Sequence, residues 1–366
     1  MKKRILLGAN DVGNGHISRQ KCIIHELLKC NVELVLAVTE KSRVQYEAEF
    51  PEIKKILINI SWIQCNNDGI DFKETLHRYR NRIRKKDQFE SFLEFAVEAR
   101  QCFDGCPPDI VMTDFEANVT WFAYAMNLPL ICLDQQSKLL YIGEEEIDGI
   151  TIVRDRALLR FYFPKADYRF ISSFFPIDIE KKEGITFLPP IIRDLKKEKL
   201  DRSKIVVYFS PFTNDIKLLK QVLDMMTERT DYHFVVYSKL EFKDYEQYPH
   251  LTFKSIGESF EKDISDCCCI LSSAGHQLIS EAISLDIPLY VFTFSTYDQK
   301  YCAKMVEKYN LGKIMRQFDQ IEFDAFLQNL ELYRRNISAF RKKYWTDSWS
   351  DILLGVLSAK FGISRL

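Results

Sequence analysis

Apolar residues in this chain gather into short runs without strict alternation, separated by longer stretches where they recur every three or four positions. The first run, Arg4 to Gly8 in RILLGA, reads as a buried strand. Cys22 to Leu28 then carries Ile23, Ile24, Leu27 and Leu28 at helical spacing. VELVLAV (Val32 to Val38) predicts the second strand, and DIVMTD (Asp109 to Asp114) a later one behind Pro107 and Pro108. A helix from about Asn118 to Met126 leads to LPLICLD, Leu128 to Asp134. Short strands apolar on both faces and separated by helices predict a parallel sheet covered on each side.

The same alternation restarts after LPPIIRDLKKEKLDRSK (Leu188 to Lys204), whose prolines and charges suit an interdomain linker. IVVYFS (Ile205 to Ser210), HFVVYS (His233 to Ser238), LTFKSIG, CCCILSS and IPLYVFTF (Ile287 to Phe294) follow, with helices between. The expectation is an α/β protein of two Rossmann-like, doubly wound domains, residues 1–190 and 191–340, facing across a cleft. A helical tail, residues 341–366, packs back on the first. Ligands of open parallel sheets bind outside the carboxyl ends of the strands, so the loops after RILLGA and CCCILSS matter most.

Composition narrows the picture. A length of 366 residues is ample for two domains. The formal net charge of -1 supplies no global positive field, which argues against nucleic acid as a partner. Ten cysteines include the adjacent Cys267, Cys268 and Cys269 and no C-x-x-C pair, a pattern of reduced thiols rather than a disulfide framework. No segment approaches the roughly 18 to 20 apolar residues of a membrane span. Together these predict a cytoplasmic protein. HRYRNRIRKK (His77 to Lys86), followed by Phe89, Phe92 and Leu93, is the strongest charge cluster. It reads either as a solvated helix face or as a surface that meets anionic lipid at the inner face of the membrane. His25, His77, His233 and His250 have no ligand-like grouping.

Candidate chemistry sits in the two loops. GANDVGNGHISRQ places Gly13, Gly15 and His16 between strand and helix, without the lysine of a P-loop, which excludes a P-loop kinase. Histidine is suited to general-base work near neutrality, and glycines free the His16 loop from crowding. The alternative is an imidazole bonded to backbone. Asp11, Asp114 and Glu116, at strand ends, are rival carboxylates, each able to act as base or to orient His16. In the second half, a strand ending at Leu271 leads into the small turn Ser272, Ser273, Ala274 and Gly275, and a helix runs on to about Leu285. Its N-terminus suits a diphosphate. Glu281, on the face away from Leu278, Ile279, Ala282 and Ile283, can accept hydrogen bonds from a ribose diol. Asp298 and Gln299 follow the next strand toward the same cleft. No D-x-D metal clamp occurs in a suitable context, so neither metal nor cofactor is called for.

SSAGHQLISEA, IPLYVF and DQKYCA together resemble the donor-site region of GT-B glycosyltransferases that use nucleotide sugars. The matching positions are Gly275, Glu281, Pro288, Asp298 with Gln299, and Cys302 with Ala303; the chain departs at Cys302, where asparagine is usual. Gly13, Gly15, His16 and Arg19 match the G-x-G-H-x-x-R loop that opens the N-terminal domain of that family. PPDIVMTD, LPLICLDQQ and PPIIRD extend the likeness over most of residues 4 to 315. It is weak in roughly 40 to 105 and 135 to 185, where the acceptor is usually read. Within the family the chain is similar to uncharacterised bacterial and archaeal members and, more distantly, to the lipid-linked N-acetylglucosaminyltransferase of peptidoglycan synthesis.

The resemblance implies an inverting, metal-independent hexosyltransferase that moves a sugar from a nucleotide sugar, UDP-sugar by default, to a hydroxyl of a glycan, lipid-linked sugar or small molecule. His16 would be the base. The turn from Ser272 to His276 would hold the diphosphate, Glu281 the ribose, and Asp298 with Gln299 the sugar hydroxyls. The backbone near Ile256 would face the base, with Ser210 beside the nucleotide. Gly13, Gly15, Arg19 and Glu116 fall on the acceptor side. Two alternatives stay open: a nucleotide-sugar hydrolase or epimerase of the same fold, and a non-catalytic nucleotide-sugar-binding protein. The extra stretch between residues 40 and 105 favours a large acceptor over water.

Overall fold

The computed structural model describes residues 2–11, 13–58, 65–66, 69–71, 73–75, 77, 86–163, 165–178, 182–210, 216–255, 258–293, 296–316 and 319–366. The expectations for Ile256 and for residues 78–85 of the basic cluster lie outside these.

Parallel pairing of apolar runs builds two sheets. The first contains β1 (Lys3–Ala9), β2 (Val32–Val38), β3 (Lys54–Leu57), β6 (Ile110–Asp114), β7 (Leu130–Asp134), β8 (Tyr168–Ser172) and β9 (Ile185–Leu188). Its order is β3-β2-β1-β6-β7-β8-β9. A small antiparallel ribbon, β4 (Cys65–Asn66) with β5 (Gly69–Ile70), stands apart from it. The second sheet has β10 (Lys204–Tyr208), β11 (His233–Tyr237), β12 (Leu251–Lys254), β13 (Cys269–Ser273), β14 (Leu289–Phe292) and β15 (Gly312–Ile314), ordered β12-β11-β10-β13-β14-β15.

Helices cover both faces of each sheet. In the first half these are α1 (Asn14–Leu27), α2 (Glu40–Glu49), α3 (Lys86–Arg100), α4 (Ala117–Met126) and α5 (Val153–Tyr162). In the second they are α6 (Ile216–Thr227), α7 (Glu258–Asp266), α8 (His276–Ser284), α9 (Tyr297–Lys308), α10 (Gln320–Gln328) and α11 (Leu330–Tyr344). The last helix, α12 (Trp349–Phe361), returns to the first half, where Leu353, Leu354, Leu357 and Ile363 bury against Ile5, Leu7 and Ile24. Each such side chain contributes roughly 1.5–3 kcal/mol when fully buried, which ties the end of the chain to its beginning.

Strand order reverses direction once in each sheet, between β1 and β6 and between β10 and β13. Those crevices are where open α/β sheets receive ligands. One continuous apolar cluster joins the halves, running from Val111 and Phe174 to Ile279 and Tyr297. The carboxyl ends of both sheets are thereby held facing each other. Nine cysteines, Cys65 not among them, are free thiols, and among the described residues no helix is long and apolar enough to cross a membrane.

Candidate active site

At the first crevice β1 and β6 lie side by side, with Ala9 opposite Asp114. The chain leaves β1 through Asn10 and Asp11 and turns at Gly13, whose φ of 76° favours glycine. Helix α1 begins at Asn14, so His16 stands in its first turn rather than on a loop. Helical backbone therefore fixes the imidazole, which is 5% exposed. Its Nδ1 lies 3.0 Å from Asp114 Oδ1. Arg19, one turn further on, reaches both oxygens of Asp114 through Nη2 at 2.7 Å, with Nε at 3.1 Å. Gln20 Nε2 donates to Oδ2 at 2.9 Å.

Asp114 is 0% exposed. Burial pushes its carboxyl upward, but Arg19 and then His16 outweigh it and hold the group at about 2. Arg19 Nη2 also stands 3.0 Å from Nδ1, but the ionised Asp114 can only accept, so its contact calls for the proton on Nδ1 and leaves Nε2 as a lone pair. Gln136 Nε2 donates to that atom at 3.2 Å. The ring also stacks beside Phe115, 6.1 Å away.

The rival carboxylates have other partners. Asp11 Oδ2 accepts from Thr39 Oγ1 at 2.7 Å, and Lys41 Nζ donates to its carbonyl. Glu116 caps α4, accepting from Val119 N at 2.8 Å and Asn118 Nδ2 at 2.6 Å, and burial pushes its pKa up.

At the second crevice the strand runs longer than its small residues suggest. Ser272 and Ser273 pair with Val291 and Phe292 of β14, so only Ala274 and Gly275 remain as turn. Ser272 Oγ bonds to the Ser273 carbonyl, and Ala274 is buried. His276 Nε2 accepts the Phe174 N–H of the first half at 3.1 Å, and burial holds its pKa well below the ordinary value. That ring docks the halves together. Gly275 caps α8 with no side-chain hydrogen bond, so the helix presents its first backbone N–H groups and positive dipole end to the cleft. Ser210 and Ser273 line the cleft beside it.

Glu281 is not on an open face; it is 3% exposed because the linker crosses over it. Arg193 grips both carboxylate oxygens, Nε to Oε1 at 3.1 Å and Nη2 to Oε2 at 3.0 Å, and also pairs with Glu261 of α7. Asp298, at the start of α9, is paired at 2.5 Å with Lys138, which is 0% exposed and belongs to the first half. Gln299 Oε1 is buried without a hydrogen-bond partner among the described residues. Asp155 of α5 stands nearby, and burial followed by the charge of Asp298 raises it to about 7. Among the described residues no group of three His, Cys, Asp or Glu side chains could hold a metal.

His16, Gln136, Arg193, Glu281, Asp298 and Gln299 line one cleft of about 1770 Å³, whereas Asp114, Arg19 and Lys138 are not part of its lining. It is pinched where α1 meets α8: a Cβ on Gly15 would sit 3.2 Å from Gln277 Cβ. Gly15 therefore serves the close approach of the halves, and it also lines the cleft. Gln136, Lys138 and Arg193 are contributors that spacing alone does not single out. Arg193 carries a signal as the cation of the proline-rich crossover PPIIRD, and Gln136 ends the run LPLICLDQQ, whereas Lys138 carries none.

Residues 3–331 match the sequence model of glycosyl transferase family 1. No curated protein matches the chain. Among solved structures, CalG4, the calicheamicin glycosyltransferase, is similar at 13% identity with a TM-score of 0.66, covering 99% of this chain and 98% of that one. Arabidopsis thaliana UGT89C1, complexed with UDP-L-rhamnose, gives 0.69 at 13% identity over 98% and 99%. LpCGTa in complex with UDP gives 0.71 at 12% identity over 99% and 100%. The likeness to these structures is one of fold, and that fold is GT-B.

Proposed function

The chain belongs to glycosyl transferase family 1, and from that premise we propose that it transfers a sugar from a nucleoside diphosphate sugar to a hydroxyl acceptor, inverting the anomeric centre, with His16 Nε2 as general base. The observation that carries this reading is the His16–Asp114 pair, facing the same cleft as the uncapped N-terminus of α8. The acceptor hydroxyl gives its proton to Nε2 as its oxygen attacks the anomeric carbon. The bond from that carbon to the diphosphate breaks, and its electron pair leaves on the phosphate oxygen. Asp114 balances the imidazolium that forms. Arg19 keeps Asp114 ionised and in place. Backbone N–H groups and the dipole of α8 take up the charge of the leaving diphosphate, so no metal is required. One displacement inverts configuration.

Glu281, oriented by Arg193, is the ribose ligand in this reading, and Asp298 with Gln299 face the transferred sugar. Ser210 and Ser273 flank the nucleotide. UDP is the proposed carrier; the UDP-L-rhamnose and UDP complexes of the structural neighbours support that choice. The test is a thermal-shift panel of UDP-, dTDP-, GDP- and CMP-sugars on the full chain. UDP-sugars should raise the melting temperature most, and no response to any of them would remove the donor site. Nucleoside diphosphate release that requires a hydroxyl acceptor, and is unchanged by EDTA, is the expected kinetic outcome. Equal release without acceptor would mark a hydrolase.

A further inference from the structure

The acceptor wall carries a feature that the reaction so far leaves unused. β7 ends at Asp134, and a 3-10 turn, Gln136–Leu140, follows at its carboxyl end. Asp134 pins that turn by accepting from Ser137 N at 2.6 Å and Ser137 Oγ at 2.9 Å. Lys138 pins it again through Asp298 of the opposite half. The rigid turn places two consecutive amides in the cleft, Gln135 and Gln136. Gln135 is 9% exposed, and its Oε1 has no hydrogen-bond partner among the described residues; Gln136 Oε1 is likewise buried and unpartnered. Buried amide oxygens are paired in the great majority of cases, so two neighbouring exceptions on one cleft wall point to donors supplied by a ligand.

We propose that Gln135 and Gln136 form the acceptor subsite, and that the acceptor is a carbohydrate whose reacting hydroxyl has a second hydroxyl on the adjacent carbon. The inference rests on the glycosyl-transfer reading above. Gln136 Nε2 stands 3.2 Å from His16 Nε2, the position the reacting hydroxyl must share. That hydroxyl donates to His16 Nε2 and accepts from Gln136 Nε2. The other end of the same amide, Oε1, then accepts a hydrogen bond from a neighbouring hydroxyl, and Gln135 Oε1 accepts one from a further hydroxyl. A monohydric phenol or alcohol satisfies the base and leaves both oxygens bare. Phe115, Leu139 and Leu158 line the cleft as well, adding apolar surface to the same cavity. A pyranose ring likewise has an apolar face and a hydroxyl edge.

The test is an acceptor panel on the wild-type chain with a bound UDP-sugar: methyl hexopyranosides, their single-deoxy analogues, benzyl alcohol and a simple phenol. Glycosides should be preferred in kcat/KM, and one deoxy position should lose about tenfold or more. Gln136→Ala should raise the glycoside KM about tenfold while donor affinity, read by calorimetry, stays unchanged. Binding of the glycosides to the UDP complex, followed by saturation-transfer NMR, should weaken in the same variant. Preference for the phenol, or indifference to every deoxy substitution, overturns the inference while leaving sugar transfer intact. Loss of UDP-sugar binding in the wild type would instead overturn the reading on which it rests.

Discussion

The two strand-to-helix junctions, β1 to α1 and β13 to α8, share a plan and divide the work differently. Each follows a central parallel strand at the point where strand order reverses, and each helix starts at a glycine with no side-chain cap. Both line one cleft. The first is dense with side-chain chemistry, since His16, Arg19 and Gln20 converge on Asp114 from the neighbouring strand. At the second, the nearby polar side chains are largely committed elsewhere: Ser272 turns to backbone and His276 to Phe174. The difference follows from the tasks. Moving a proton needs a titratable atom, whereas an anion can be held by N–H groups and a helix dipole that any small sequence provides.

Breaking the first junction should cost most. Asp114→Asn keeps the shape but no longer holds the Nδ1–H tautomer, and it leaves Arg19 buried with its charge uncompensated. A fall in kcat of about 10³ is expected from steady-state kinetics, with a destabilisation of roughly 3–5 kcal/mol in urea unfolding. A kcat within tenfold of wild type would detach Asp114 from the base. Breaking the second junction should act on binding instead. Glu281→Ala is expected to weaken the nucleotide sugar by about tenfold or more, with a smaller change in kcat. An unchanged donor affinity would move the ribose elsewhere.

The pinch between the junctions offers a subtler probe. Gly15→Ala brings a Cβ to 3.2 Å from Gln277 Cβ, and should cut turnover about threefold to tenfold even though alanine favours a helix. Gln277→Gly in the same chain should restore part of it; additive losses would separate the pinch from catalysis.

A probe that leaves the chemistry aside is the pH dependence of stability. The ordinary pKa of Asp155 is 3.8, and its folded value is about 7. The folded state therefore binds the proton more tightly, and stability from this group declines as pH rises from about 4 to about 7. Asp155→Asn should flatten that decline in chemical unfolding curves, and an unaltered slope would contradict it. Asp114 behaves oppositely: its contribution is present above 3.8 and lost only as pH falls toward about 2.

Much of this was legible in the sequence, though unevenly. The alternation of apolar runs and helices marked both sheets, and the two loops that meet in the cleft stand out by their small residues. Local pattern failed where a distant segment decides the environment. The Gly-x-Gly spacing reads as loop, yet α1 starts between the glycines because Gly13 takes the positive φ alone. Ser272 and Ser273 have turn composition, but their pairing with β14 makes them strand. Glu281 lies on the face away from an apolar stripe, yet Arg193, 88 residues away, closes over it. Gln136 meets His16 across 120 residues, and no spacing rule spans such a separation.

The division of labour between the junctions is tested most directly by calorimetric titration of UDP-sugar into the wild-type chain, His16→Ala and Glu281→Ala under one set of conditions. The prediction is a dissociation constant for His16→Ala within about twofold of wild type, and one for Glu281→Ala weaker by about tenfold or more. Donor binding that fails in His16→Ala and persists in Glu281→Ala would place the nucleotide on the first half and contradict the account.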